Sequence, residues 1–131
     1  MKLSEIKNLV SLLSEYLGTS APKVQLVDDW DNAAYSSSLD KIYIGLTCKD
    51  VPLEQLIAHE VRHAYQVKTG LIEAALDRYF WKGKFIIRIN MIDTLTLEEY
   101  EALPWEKDAN DWMKSGANII EKHRKELKQT A

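Results

Sequence analysis

One cysteine, Cys48, is all the thiol chemistry this 131-residue chain carries. A lone thiol forms no internal disulfide and cannot build a cysteine-rich zinc cage, which fits a reducing compartment. An excess of positive charge is also missing. A net charge of −3 and a pI near 5.6 give no broad field for a phosphate backbone, so nucleic acid is not expected as a partner. No apolar run approaches the length of a membrane span. The opening Met1-Lys2-Leu3-Ser4-Glu5-Ile6-Lys7 carries acid and base where a secretory signal would be continuously apolar. A cytoplasmic protein without membrane contact is therefore the expectation. Internal repeats and low-complexity segments are lacking too. What remains is ordinary globular material: 46% hydrophobic residues, with four Trp and six Tyr, suffice for one core and one domain over residues 1–131.

The pattern along the chain is that of an α+β protein. Leu3, Ile6, Leu9, Val10, Leu13 and Leu17 recur at helical spacing, and Gly18 stands where a C-terminal cap belongs. Between Lys23 and Leu46 the apolar residues alternate instead, which predicts two or three short antiparallel strands, the last at about residues 41–46. Asp50-Val51-Pro52 opens a second helix and Thr69-Gly70 closes it. Residues 71–76 are compatible with a helix, whereas Tyr79 to Ile87, around Lys82-Gly83, predict a hairpin. Thr96-Leu97-Glu98-Glu99 is a capping box for a short helix that Pro104 interrupts, and a last helix runs from about Pro104 to Lys128. Its Lys122-His123-Arg124-Lys125 end reads as a solvated, charge-complementary terminus.

The second helix carries His59-Glu60-Val61-Arg62-His63, which uses two of the three histidines in the chain. Positions i and i+4 lie one turn apart on one helix face, so both imidazoles can bind one zinc ion while the intervening glutamate turns toward a metal-bound water. Leu53, Leu56, Ile57, Ala64 and Val67 form an apolar arc, with Glu60 inside it and the histidines along its edge. A carboxylate on a core-facing stripe is costly, and a general base has reason to be there. The bland alternative is a core edge closed by ordinary hydrogen bonds.

Catalytic zinc takes three protein ligands and an open position. Cys48 lies before the helix at no ligand spacing, and His123 sits among charges near the terminus. A carboxylate is the better choice, and Glu106 the strongest candidate: Ala109, Met113, Ala117 and Ile120 follow it at helical spacing, so it heads an inward face. Asn110, one turn on, can hydrogen-bond a ligand imidazole and fix its tautomer. Asp108 and Asp111 project elsewhere and are expected in solvent.

His59-Glu60-Val61-Arg62-His63 followed by Glu106-Lys107-Asp108-Ala109-Asn110 resembles the gluzincin metallopeptidases, in particular the compact ImmA/IrrE-like proteins of phages and mobile elements, whose pattern is HExxH and then E-x-x-A-N. The resemblance covers about residues 41–114, is specific in its two motifs and loose between them. It implies a zincin-like fold, with the motif helix and the C-terminal helix packed beside a small, mainly antiparallel sheet. It also implies zinc held by His59, His63 and Glu106, Glu60 as catalytic base, and a protein or peptide substrate. In it the Asn110 position is similar to the carboxylate that supports a ligand histidine in larger thermolysin-type enzymes. The chain departs from the family in having no large apolar run after the last ligand and no evident DNA-binding domain, so cleavage of a repressor does not carry over.

Three further expectations are open to test. Tyr65, Tyr79 and Tyr100 are equal candidates for the donor to a transition-state oxyanion. The edge of the 41–46 strand, through Ile42 and Ile44, can take an extended peptide by strand addition. The rival functions are a catalytically silent interaction module, recognised by exposed Trp30, Trp81, Trp105 and Trp112, and a zinc hydrolase acting on a non-peptide amide.

Overall fold

The computed structural model describes residues 1–48 and 50–130. Helix α1 (Leu3–Tyr16) is followed by strands β1 (Lys23–Val27), β2 (Ala33–Ser36) and β3 (Lys41–Gly45), and then by helix α2 (Leu53–Lys68). Strands β4 (Ile72–Ala75), β5 (Arg78–Trp81) and β6 (Lys84–Arg88) come next. A 3-10 turn at Ile89–Thr94, a short α3 (Leu97–Glu101) and the long α4 (Pro104–Thr130) complete the chain. The architecture is α+β. Among the described residues no helix is long and apolar enough to cross a membrane.

The first sheet has the order β1-β3-β2, with β1 parallel and β2 antiparallel to β3. The pairings are mainly antiparallel, as expected, but β1, expected to be antiparallel like the other strands between Lys23 and Leu46, is corrected to parallel. Alternation records which face is buried but not which way a strand runs, and the β1–β2 connection carries the chain across the end of β3 before it turns back. Trp30 and Asn32 on that crossing accept hydrogen bonds from the Thr47 and Gly45 amides at 3.1 and 2.8 Å. Gly45 is obligatory at this contact, since a β-carbon there would overlap the Trp30 carbonyl.

The order also overturns the peptide-docking role expected of Ile42 and Ile44. Strand β3 is central and has no free edge, and the two side chains are 0% and 1% exposed. They join Ile6, Val10 and Leu13 of α1, Ile57 and Val61 of α2 and Ile120 of α4 in the core. Helix α2 is thus enclosed more widely than its predicted arc: Val61 is fully buried, and Val67 is on the surface.

Within residues 71–76, Ile72–Ala75 form a strand rather than a helical extension. Gly70, at φ 75°, ends α2, and the next apolar residues reach the β5 register before Leu76 turns the chain at φ 60°. The resulting β4-β5-β6 meander is antiparallel throughout and contains no fully buried residue.

Helix α2 packs chiefly on α4, and Gly116 of α4 lies directly against Ala58 of α2. At Gly116 an added β-carbon would lie 2.5 Å from the Ala58 β-carbon and 2.9 Å from the Trp112 ring. Alanine is favoured over glycine in a helix by about 1 kcal/mol, but two packed backbones cannot yield that much room. Gly116→Ala should lower stability by about 1–3 kcal/mol, read as a lower thermal midpoint. A midpoint equal to or above that of the parent would refute close packing at this crossing.

Candidate metal centre

Mid-helix, where α2 faces the first turn of α4, three side chains converge. His59 and His63 are one turn apart, with Nε2 atoms 2.9 Å from each other and rings nearly perpendicular at 83°. Glu106 reaches both: its Oε2 is 2.8 Å from His63 Nε2 and its Oε1 is 3.5 Å from His59 Nε2. Pro104 begins α4 with a residue that has no N–H to lose, and buried Leu103 and Trp105 set the helix so that Glu106 points inward at 8% exposure.

These separations suit a metal. Tetrahedral zinc with ligands about 2.1 Å away holds them about 3.4 Å apart, and the three contacts straddle that value. Two ring nitrogens at 2.9 Å also repel unless a proton or cation lies between them. Among the described residues, the group that could hold a metal by mutual proximity alone is His59, Glu60 and His63. Glu106 is better placed than Glu60 to be a third donor, because its oxygens meet the ring nitrogens, while Glu60 Oε2 is buried with no hydrogen-bond partner. Glu60 is 4% exposed. Burial raises its pKa, His63 and His59 work against that rise, and Glu106 adds to it. A solvent-poor, unpartnered carboxylate with a raised pKa is suited to taking a proton near neutral pH.

Asn110 is exposed and makes no hydrogen bond to either imidazole among the described residues, which corrects its expected supporting role. That role falls to Gln66, which the sequence analysis did not single out. Its Oε1 lies 3.0 Å from His63 Nδ1, and an amide oxygen can only accept, so Nδ1 carries the proton and Nε2 is turned to the centre. The Gln66 amide group donates to the Trp105 carbonyl at 2.9 Å and to Asp108 at 2.8 Å. Asp108 in turn accepts two bonds from Arg62, at 2.8 and 3.2 Å. Burial opposes ionisation of Asp108, but Arg62 and Gln66 prevail and lower its pKa. Asp108 is therefore a link between the two helices and not the solvated residue expected. Arg62, over the Tyr65 ring at 4.5 Å, completes the link. A polar residue three positions past His63, on its own face, was the available sequence signal.

Other candidates lie elsewhere. His123 is seventeen residues beyond Glu106 on α4, or about 25 Å along the axis. Beside it Arg124 is not simply solvated, since it pairs with Glu54 at 3.1 Å. Cys48 is half-buried in the loop before α2. Of the three tyrosines, Tyr65 lies under Arg62, and the Tyr79 ring packs 5.6 Å from Trp105. Tyr100 is within electrostatic reach of the centre: burial raises its pKa, and the charges of Glu106 and Glu60 raise it further. Comparison with protein families, with curated proteins and with solved structures finds no match to this chain.

In zinc-free protein the centre holds a proton. Burial works against charge on His63, yet its bond to Glu106, the Glu60 and Glu106 charges and Gln66 together raise its pKa to about 9. Burial likewise opposes the Glu106 carboxylate, but the two histidines hold it down to about 2. The His63 contribution to stability is complete below its ordinary value of 6.5 and is lost as pH rises through 9; that of Glu106 is complete above 4.5 and is lost as pH falls through 2. A metal bound by His63 would have to displace that proton. Zinc affinity should therefore rise about tenfold per pH unit between pH 6.5 and 9, with about one proton released per zinc near neutrality. Calorimetry in two buffers of different ionisation enthalpy measures the release, and none at pH 7 would exclude a proton on His63.

Proposed function

We propose that the chain is a zinc-dependent peptidase of the gluzincin type with a zincin-like fold, resembling the ImmA/IrrE-like family. The single observation that supports this most is the meeting of His59, His63 and Glu106 from two helices within 2.8–3.5 Å, beside the unpartnered Glu60 carboxylate. Zinc, when bound by those three residues, supplies Lewis acidity and a water of lowered pKa. Glu60 takes the proton as water attacks the peptide carbonyl, then passes it to the leaving amine. Gln66, held by Asp108, keeps His63 in the tautomer that offers Nε2. The Tyr100 hydroxyl donates to the oxygen on which negative charge develops.

The interaction-module reading draws little from the tryptophans. Trp105 is buried and Trp30, Trp81 and Trp112 are half-buried, so none is an exposed anchor.

Zinc-reconstituted protein, incubated with a mixed peptide pool and followed by mass spectrometry, tests the reading. One zinc per chain with new peptide termini supports it; a chain that takes up no zinc overturns it, and amide cleavage confined to non-peptide compounds transfers the site to the other hydrolase class. Tyr100→Phe should keep its zinc and lose about 100-fold in kcat with little change in KM. An unchanged kcat would remove Tyr100 from the mechanism.

A further inference from the structure

The β5–β6 hairpin concentrates positive charge in a chain whose net charge is negative. Residues 78–88 contain Arg78, Lys82, Lys84 and Arg88 and no acid, in a protein of net charge −3. The register sorts these residues between two faces. Tyr79 and Trp81 share the face that meets Trp105, and the opposite face pairs Arg78 with Arg88 and Phe80 with Phe85. A bulge at Tyr79/Phe80 accommodates the extra residue of β6 and brings this about.

Two arginines directly across an antiparallel ladder repel one another. Neither is properly neutralised: Arg78 reaches only Asp77, at 3.8 Å between two exposed side chains, and Arg88 has no ion-pair partner among the described residues. Glu73 of β4 stands on the same face opposite Phe80 but makes no ion pair with either arginine. The aromatic half of the face is equally open. Phe85 is 52% exposed, its ring 6.2 Å from Phe80 and 5.5 Å from the Arg78 guanidinium.

We propose that this outer face is a docking surface for an acidic segment of a partner protein, with carboxylates on the Arg78–Arg88 pair and an apolar side chain on the Phe80–Phe85 pair. Guanidinium groups bind carboxylates by two parallel hydrogen bonds, and a carboxylate between two arginines removes the repulsion that the free protein bears. Among the described residues the outer edges of the sheet, β4 and β6, pair with no further strand, so backbone amides and carbonyls are available to an extended polypeptide. That ladder and the overall negative charge favour a peptide over nucleic acid. The surface is independent of the metal site and stands or falls separately from the hydrolase reading.

The test is fluorescence anisotropy on the full chain in the presence of chelator. Three labelled probes are used: a peptide of alternating Glu and Phe, one of alternating Lys and Phe, and a short oligothymidylate. The Glu-Phe peptide should bind at least about tenfold more tightly than the Lys-Phe peptide, and less tightly as salt rises. Arg88→Glu sets a carboxylate opposite Arg78, so the fold should be kept or strengthened while Glu-Phe binding falls about tenfold or more. Phe85→Ser, a second variant on an exposed position, should weaken the same probe severalfold. Equal binding of the two peptides, no binding of either, tighter binding of oligothymidylate, or an unchanged affinity in Arg88→Glu would each overturn the proposal. So would concentration-dependent dimerisation abolished by Arg88→Glu, which would make the occupant a second copy of the chain.

Discussion

Glu106→Ala should leave a folded chain that no longer retains zinc, with metal content falling from about one per chain to under about one-tenth after dialysis. Two imidazoles one helical turn apart are a weak site on their own, and the carboxylate supplies both the third contact and the charge that offsets the metal. The effect on affinity should exceed the 10- to 100-fold that follows loss of an outer hydrogen-bond partner. The same substitution has a signature without metal. Glu106 provides the largest stabilising contribution to the proton on His63, so the His63 titration, followed by the ring-proton resonance, should move down from about 9. Gln66, exchanged for alanine as a control, leaves all three proposed ligands in place and should weaken zinc less. Undiminished zinc in Glu106→Ala would assign the third contact to another group and end the proposed geometry.

Glu60→Gln should separate chemistry from metal binding. The amide has nearly the shape of the acid but cannot take a proton, so hydrolysis should fall by about 10³-fold or more with zinc content unchanged. Stability should move in the opposite direction. Burial penalises the Glu60 anion and raises its pKa above the usual 4.5, so ionisation costs the folded state stability as pH rises past that value. In zinc-free protein Glu60→Gln removes this cost. Its thermal midpoint should exceed that of the parent at pH 8 by more than at pH 4. Hydrolysis at the parental rate would exclude Glu60 as base, and a midpoint difference independent of pH would mean that folding leaves the Glu60 pKa unshifted.

The helical part of this architecture was legible because helix signals are local. The α1 periodicity, the Asp50-Val51-Pro52 start, the Thr96–Glu99 capping box and Pro104 at the first turn of α4 each act within a few residues, and each element is present. Strand direction is not local. Nothing in the alternation of Val24 and Leu26 states that β1 runs parallel to β3, and the order that buries Ile42 and Ile44 depends on a crossing held by Trp30 and Asn32. Residues 72–75 take strand form because β5 is there to pair with them. The helical wheel placed Glu106 correctly on an inward face but put the wrong neighbour beside the histidine. Asn110 is one turn too far along α4, whereas Gln66 is on the histidine's own helix and Asp108 is reached by Arg62 from across the interface.

The amino-acid order alone determined which residues are candidates for the chemistry, because two histidines at i and i+4 share a helix face whatever surrounds that helix. It also determined that Glu60 would face inward, through the apolar residues at its flanks. Tertiary structure alone decided that Glu106 meets those histidines across a sequence separation of 43 from His63, which requires α2 and α4 to pack as closely as Ala58 and Gly116 allow. Only there, too, does the Gln66–Asp108–Arg62 link exist. Contacts between distant segments depend on how every layer between them packs, and no local pattern encodes that sum.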